Sequence, residues 1–237
     1  MNTDAPEIPV SEQSPAGGPA PSRRQAQAGA TRSQLLLAAE RLYAIHGISE
    51  VSNRQVAEAA SSANNSAVGY YIGTKTDLLE AILRSHNEPI ARNMKGRIDQ
   101  VVSSPDLRDY VECLVRPYTD HLAQLPRPSG LARVISQVVT DPTLLHNRVF
   151  DSTLGQTLRE AFAPMWSQIA DAPQDTIEMR QQVLRNMVLH TCAEQERKAH
   201  LAGIPADWPL VSEVLINSIT AVLTHVPSQS GDTNSGS

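Results

Sequence analysis

The segment from residue 64 to residue 71 carries side chains suited to contacts with DNA. Asn64 and Asn65 have amides that can pair with the edge of adenine in the major groove, where all base pairs are distinguishable. The hydroxyls of Ser66, Tyr70 and Tyr71 can donate to phosphate oxygens, which fix the position of a protein on the duplex. These residue types predict a short segment that reads bases between phosphate contacts.

Two apolar residues and a glycine complete this segment. Ala67 and Val68 can either pack inward or meet a thymine methyl group. Gly69 either lets the backbone come close to DNA or is tolerated in a short helix, at a cost of roughly 1 kcal/mol against alanine. Both alternatives remain open for each residue.

Further polar residues flank the segment. Lys75 stands at the start of a following helix, where free backbone N–H groups also favour an anion, and it is placed to hold a phosphate. Ser52 and Arg54 can do the same from a preceding helix. The residues expected to contact DNA are Ser52, Asn53, Arg54, Asn64, Asn65, Ser66, Gly69, Tyr70, Tyr71, Thr74 and Lys75.

A first helix is predicted ahead of these residues. Apolar side chains recur at three- and four-residue spacing from Leu35 to Tyr43, which is typical of one buried helical face. Thr31 and Gln34 form a capping-box pattern that predicts the start of the helix, and Gly47 predicts its end.

Three more helices are predicted to carry the DNA-contacting set. Ser52 and Gln55 repeat the capping-box pattern, residues 66–71 form a short segment that Gly73 ends, and residues 74–77 open a long helix that runs to about residue 100. Small residues at 59–63 let the second and third helices approach closely. This order predicts a helix-turn-helix, in which one helix fixes the next across the major groove.

As a spaced set, these residues resemble the DNA-binding domain of the tetracycline-repressor (TetR) family of transcription regulators. The resemblance spans roughly residues 30–85. The matching pieces are Thr31-Arg32, Leu36, Ala38-Ala39, Leu42-Tyr43 and Gly47, then Ser52-Asn53-Arg54-Gln55-Val56-Ala57-Glu58-Ala59-Ala60, then Tyr70-Tyr71-Ile72-Gly73-Thr74-Lys75-Thr76-Asp77-Leu78-Leu79.

The resemblance implies a dimeric, all-helical regulator, usually a repressor. It also implies a ligand pocket in the C-terminal domain, with ligand binding spreading the two DNA-binding heads apart. By position it implies DNA-contacting or adjacent roles for Ser52, Arg54, Tyr70, Tyr71 and Lys75. Gly69 stands where many members carry the phosphate-contacting tyrosine, so which tyrosine contacts phosphate stays open.

The rest of the chain also has a helical pattern. Helices are expected at about 106–124, 128–140, 142–149, 151–170, 174–202 and 207–226, separated by prolines. The fold class expected is all-α, with an N-terminal three-helix helix-turn-helix domain and a C-terminal helical ligand-binding and dimerisation domain. The predicted divisions are a disordered tail at 1–29, the DNA-binding domain at 30–85 with its fourth helix continuing to about 100, the regulatory domain at 101–226, and a disordered tail at 227–237.

Charge is unevenly distributed. Residues 22–97 hold ten Lys and Arg against six Asp and Glu, a net charge of +4, whereas the whole chain carries −5. A basic N-terminal third on an acidic body is what a DNA-binding head attached to another domain needs. Arg23 and Arg24 can touch DNA or keep the tail soluble, and solubility is the favoured interpretation.

The composition favours the bacterial cytoplasm. Residues 1–30 lack the apolar core of a secretory signal, and no apolar run has the ~18–20 residues needed to cross a bilayer. Cys113 and Cys192 are expected to be buried, reduced thiols. No clustered metal ligands, phosphate loop or nucleophile–base pattern is found, so no cofactor and no enzymatic activity are expected.

Two further sets are predicted in the regulatory domain. Candidates for the ligand pocket are Tyr110, Tyr118, His121, Arg133, Phe162, Trp166, Met187 and His190. Any helical core would hold similar residues. The apolar stripes of the last two helices predict a dimer interface that includes Leu184, Met187, Val188, Thr191, Leu215, Ile219 and Val222, the alternative being that both helices are internal core.

The expected function is that of a transcription regulator that binds double-stranded DNA sequence-specifically as a homodimer. A repressor released from a palindromic operator by a small-molecule effector is the leading hypothesis. One alternative is a regulator or activator that acts through a protein partner without such an effector. Another is a helical ligand carrier that does not bind DNA.

Overall fold

The computed structural model describes residues 23–61, 66–101, 103–145, 162–163, 165–166 and 174–224. Throughout these ranges the secondary structure is helical and contains no strand, in agreement with the all-α prediction. None of the helices described is long and apolar enough to cross a membrane. The helices are Arg23–His46 (α1), Asn53–Ala59 (α2), Ala67–Tyr71 (α3), Lys75–Val101 (α4), Leu107–Gln124 (α5), Leu131–Thr140 (α6), Pro142–Leu145 (α7), Gln174–Ala202 (α8) and Trp208–Thr224 (α9).

Helix α1 begins at Arg23, well before the predicted start at Thr31. Thr31 does not cap the helix, because its hydroxyl donates to the carbonyl oxygen of Gln27 one turn earlier, at 3.0 Å. Residues 23–30 are rich in Ala, Gln and Arg, which are strong helix formers, so the helix continues where apolar spacing is absent. The predicted disordered tail is therefore wrong for residues 23–29, while residues 1–22 lie outside the described residues.

The predicted boundaries between α1 and α2 are confirmed. Gly47 has φ +93° and its N–H donates to the carbonyl oxygen of Tyr43 at 3.0 Å, the left-handed C-terminal stop that glycine favours. Ser52 caps α2 through a complete capping box with Gln55, in which each side chain accepts the other's backbone N–H.

Helices α1, α2 and α3 and the start of α4 surround one apolar core, which we call the head. Its small residues let the short helices α2 and α3 approach each other and α1. Fully buried members of this core are Leu35, Ala39, Tyr43, Val56, Ala57, Ala67, Val68 and Leu78.

The remaining helices form the body, and α4 passes from the head into it. Helix α5 packs on α4 and α9, and α6 packs on α8. Ion pairs fasten α5 to α9, with Arg116 2.6 Å and Arg108 3.3 Å from the carboxylate of Glu213. Cys113 and Cys192 are free and buried, as predicted, and burial raises the pKa of both thiols.

Most helix boundaries in the body agree with the predicted ones to within two residues. Helix α6 starts at Leu131 rather than at residue 128. Of the helices predicted at 142–149 and 151–170, only residues 142–145, 162–163 and 165–166 lie among the described residues, and these are helical.

Candidate nucleic-acid interface

Helix α3 has an inner face and an outer face. Ala67 and Val68 are fully buried where α3 meets α1 and α2. They therefore pack inward and are not available to contact a thymine methyl group. Ser66, Gly69 and Tyr70 are exposed on the outer face. The predicted base readers Asn64 and Asn65 lie outside the described residues.

The two tyrosines of α3 differ in exposure. Tyr70 is 79% exposed, whereas Tyr71 is half-buried and packs against the core of the head. Their rings meet edge to face, with centroids 4.8 Å apart. Tyr71 thus packs between the core of the head and the exposed ring of Tyr70.

The polar residues at the start of α2 are occupied in different ways. The hydroxyl of Ser52 is used in the capping box, where it also lies 2.8 Å from Oε1 of Gln55. Arg54 is exposed and donates from Nε to Glu58 at 2.8 Å. Asn53 is half-buried, and its Oδ1 accepts no hydrogen bond from the described residues.

The start of α4 holds the other predicted phosphate contacts. Lys75 donates from Nζ to the carbonyl oxygen of Ser49 at 2.9 Å, which places the ammonium beside the α1–α2 connection. Thr74 donates to Oδ2 of Asp77 from its backbone N–H at 2.7 Å and from its hydroxyl at 2.8 Å. These two hydrogen bonds hold the pKa of Asp77 below its usual value.

Gly73 fixes the turn between α3 and α4. Its φ is +125°, and its N–H donates to the carbonyl oxygen of Val68 at 2.9 Å. A Cβ at this position would lie 2.5 Å from Oδ2 of Asp77. Only glycine fits this turn while Asp77 caps α4, so the angle between α3 and α4 depends on it.

A buried carboxylate, Glu40, joins the head to the body. It is 5% exposed, and its Oε1 accepts the N–H of Gly130 at 3.1 Å. Its Oε2 lies 2.9 Å from Nε2 of His86, and Nδ1 of His86 lies 2.8 Å from Nε2 of His121. Because a carboxylate only accepts, Nε2 of His86 carries the proton that it donates to Glu40. Desolvation, together with the adjacent His86, lowers the pKa of His121 to about 4.

Helix α6 also holds the last turn of α1. Gln137 donates from Nε2 to the carbonyl oxygen of Tyr43 and accepts at Oε1 from the N–H of Ile48, both at 2.9 Å. Arg133 donates to the carbonyl oxygen of Ala44 at 3.3 Å. The body therefore contacts the head through directional hydrogen bonds at the end of α1.

Sequence reasoning missed Glu40, Gln137 and Glu196 at this junction. Glu196 accepts from Arg133 Nε at 3.2 Å and from the backbone N–H of Arg133 at 3.1 Å, so it caps the N-terminus of α6. A signal for Glu40 was present, because a carboxylate interrupts the apolar spacing of α1. No comparable local signal marks Gln137 or Glu196.

The residues predicted to line a ligand pocket are dispersed. None of them lines either of two cavities in the described residues, of about 240 and 400 Å³. Tyr110, Tyr118 and Phe162 are buried in the core, while Trp166 and Met187 are half-buried against it. His121 and Arg133 belong to the junction instead, and His190 is exposed. Core packing and hydrogen bonding between helices occupy these side chains, His190 excepted.

The predicted dimer contacts are also corrected in part. Leu184, Val188, Leu215 and Ile219 are buried within the single chain, so they cannot contact a partner. Met187 and Thr191 are half-buried, and Val222 is 40% exposed. Further apolar side chains are exposed on α8 and α9: Met179, Val183, Leu201, Leu210 and Val214.

No arrangement of three or more His, Cys, Asp or Glu side chains that could hold a metal ion occurs within the described residues. The site predicted on this chain is therefore the set of exposed polar groups on α2, α3 and the start of α4, which are the predicted DNA contacts.

Similar folds occur among solved structures of bacterial regulators. The fatty acid degradation regulator FadR from Bacillus halodurans superposes with a TM-score of 0.56 at 17% identity, over 83% of this chain and 97% of that one. The TetR-family transcriptional regulator PfmR from Thermus thermophilus gives a TM-score of 0.50 at 15% identity, over 80% and 96%. No family model and no curated protein matches the sequence. The helices and their order therefore give this chain the fold of a TetR-family transcription regulator.

Proposed function

We propose that this chain is a sequence-specific, DNA-binding transcription regulator of the TetR family. The observation that carries the proposal is the two-faced helix α3. Ala67 and Val68 anchor it in the head, while Ser66, Gly69 and Tyr70 face outward. A helix-turn-helix presents such a face to base edges in the major groove. Asn64 and Asn65 precede this face directly, and we assign base contacts to them.

Phosphate contacts are assigned to Tyr70, Lys75 and Arg54. The hydroxyl of Tyr70 is free to reach a phosphate, whereas Tyr71 is held by the core. Lys75 uses one of its three N–H donors on Ser49 and keeps the others for DNA. Arg54 can leave Glu58 at little cost, because exposed ion pairs contribute under about 1 kcal/mol. Ser52 and Thr74 support these groups mainly as helix caps.

The regulator is proposed to act as a homodimer. Leu210, Val214 and Val222 lie along one side of α9 and are 40–59% exposed. Several exposed apolar side chains on one face of a helix are typical of a protein interface. A two-fold dimer would present two copies of α3 about one DNA turn apart, which fits a palindromic operator.

Release of the operator by a small-molecule effector is the proposed regulation, with repression as its result. The junction at Glu40, Arg133 and Gln137 supports this, because it ties the position of α1 to that of the body. An activator, or a regulator controlled by a protein partner, would use the same head. Transcription from a reporter under the selected operator distinguishes repression from activation.

Selection of duplexes from a random pool, followed by titration at several salt concentrations, tests the proposal. We expect a palindromic site bound at least ~10³-fold more tightly than bulk DNA, with log affinity falling linearly in log salt. Asn65→Ala should cost about 1–3 kcal/mol at particular base positions only. A preference for the best site under ~10-fold would contradict sequence-specific regulation and leave the ligand-carrier alternative.

A further inference from the structure

A cavity of about 400 Å³ opens between the α5–α6 connection and the α8–α9 connection. Its volume falls in the range of small-molecule sites, ~300–1,000 Å³. Leu122 and Trp208 form buried parts of its apolar wall, and Leu125 is half-buried there. Ile204, which is 64% exposed, lies at its rim. The lining can therefore accept an apolar chain or ring.

The charged groups of the lining favour an anion. Glu196 is its carboxylate, and this group already accepts from the Ser129 hydroxyl, from the N–H groups of Ala132 and Arg133, and from the Arg133 guanidinium. A carboxylate has about four acceptor positions, so Glu196 has little left for a cationic ligand. Arg127 and His200 also line the cavity, and neither forms an ion pair with the described residues.

We propose that this cavity binds an amphipathic organic monoanion, a medium-chain or aromatic carboxylate, and that this ligand is the effector. The apolar part would pack against Leu122, Leu125 and Trp208. The carboxylate would pair with the planar guanidinium of Arg127, which suits two-point recognition, and with a ring N–H of His200. The effector role rests on the proposed function, whereas the binding site does not.

The cavity is physically linked to the head. Ser129 and Glu196 line it and also hold the N-terminus of α6, where the N–H of Gly130 donates to Glu40 of α1. A ligand that moves the α5–α6 connection therefore acts on the groups that fix α1. Binding here is expected to change the affinity for DNA rather than only the stability of the body.

Binding of decanoate to the full-length protein tests the site. The variant Trp166→Phe leaves Trp208 as the single tryptophan, so its emission reports the cavity directly. We expect a saturable change with decanoate and at least ~10-fold weaker binding of decanol, because a charge-assisted hydrogen bond contributes ~1.5–3 kcal/mol. Arg127→Gln should weaken decanoate binding by the same factor. Arg197→Gln, which removes an exposed arginine paired with Glu194 outside the cavity, should leave it unchanged.

Several results would overturn the site. These are decanoate binding unaffected by both Arg127→Gln and the cavity-filling Ala199→Phe, decanol binding as tightly as decanoate, or decyltrimethylammonium binding more tightly. A ligand-free change of Trp208 emission that follows dimerisation, with no response to decanoate, would assign the cavity to a partner chain instead.

Operator binding separates this proposal from the proposed function. We expect decanoate to weaken operator binding of the Trp166→Phe protein at least ~10-fold, a coupling of about 1.4 kcal/mol, and not to affect Arg127→Gln. Tight operator binding without any decanoate response refutes the effector site alone. Decanoate binding at Trp208 in a protein that has no preferred DNA sequence refutes the regulator alone.

Discussion

Replacement of Gly73 by alanine tests how the angle between α3 and α4 is set. The residue has φ +125°, and an added Cβ would lie 2.5 Å from Oδ2 of Asp77. Alanine must therefore hold a backbone conformation that L residues rarely adopt and must also displace the carboxylate that caps α4. Both effects destabilise the turn.

The magnitude follows from these two parts. Backbone strain at such a position costs about 1–3 kcal/mol, and loss of the cap between Thr74 and Asp77 costs about 1 kcal/mol. We expect Gly73→Ala to lower the free energy of unfolding by about 2–4 kcal/mol. For a chain of this size that corresponds to a fall in Tm of about 5–15 °C.

Thermal and urea denaturation of four variants check the reasoning. Asp77→Ala alone should cost about 1 kcal/mol, and Gly73→Ala should cost about 1–3 kcal/mol in the Asp77→Ala background, because the clash and the cap are already gone. Gly69→Ala is the matched control, since no atom lies within 4 Å of an added Cβ and its φ is ordinary. Two results would show that the turn does not have the geometry described. One is that Gly73→Ala destabilises no more than Gly69→Ala. The other is that Gly73→Ala lowers the free energy of unfolding as much in the Asp77→Ala background as in the unmodified protein.

Three further predictions concern DNA, pH and assembly. Lys75→Ala should weaken binding to every DNA sequence and lower the slope of log affinity against log salt by roughly 1 per subunit. Lys95→Ala, at an exposed position far along α4, should change neither. An unchanged slope in Lys75→Ala would show that Lys75 does not contact a phosphate. Desolvation lowers the pKa of His121 to about 4, so its contribution to stability should be fully present above pH ~6.5 and be lost as the pH falls towards 4. The loss is at most about 3 kcal/mol in urea titrations, and solvent screening of this half-buried ring makes it smaller. It should shrink in His121→Gln but not in His190→Gln. Val214→Glu should dissociate the dimer in sedimentation runs while Gln100→Glu does not, and a persistent dimer would place the interface elsewhere.

The features of the head that sequence could predict are local ones. Ser52 with Gln55 and Gly47 act through residues within one turn of themselves, so their patterns carry the structure. Thr31 shows the limit, because Thr-x-x-Gln is equally compatible with a helix interior. Nothing within four residues tells the two cases apart, and helix propensity extends α1 beyond the apolar spacing.

Burial on α9 could not be read in the same way. The helix is apolar over much of its surface, so the side facing the core depends on which helix packs against it. Helix α5 takes that side, and with it Leu215 and Ile219, while Val214 and Val222 stay exposed. Two of the residues predicted for the interface, Leu215 and Ile219, therefore lie on the side of α9 that faces the core.

The polar junction between α6 and α1 decides how the body can act on the head. Apolar contacts are non-directional and tolerate sliding, whereas hydrogen bonds weaken steeply with displacement and bending. Gln137 makes two such bonds at 2.9 Å to the end of α1, and the N–H of Gly130 makes a third to Glu40. If α6 shifted alone, these buried and partly buried groups would lose their partners, at up to about 1–3 kcal/mol each. Movement of α1 together with α6 avoids that loss, so a ligand that displaces α6 is expected to carry α1, and with it α3, out of register with DNA.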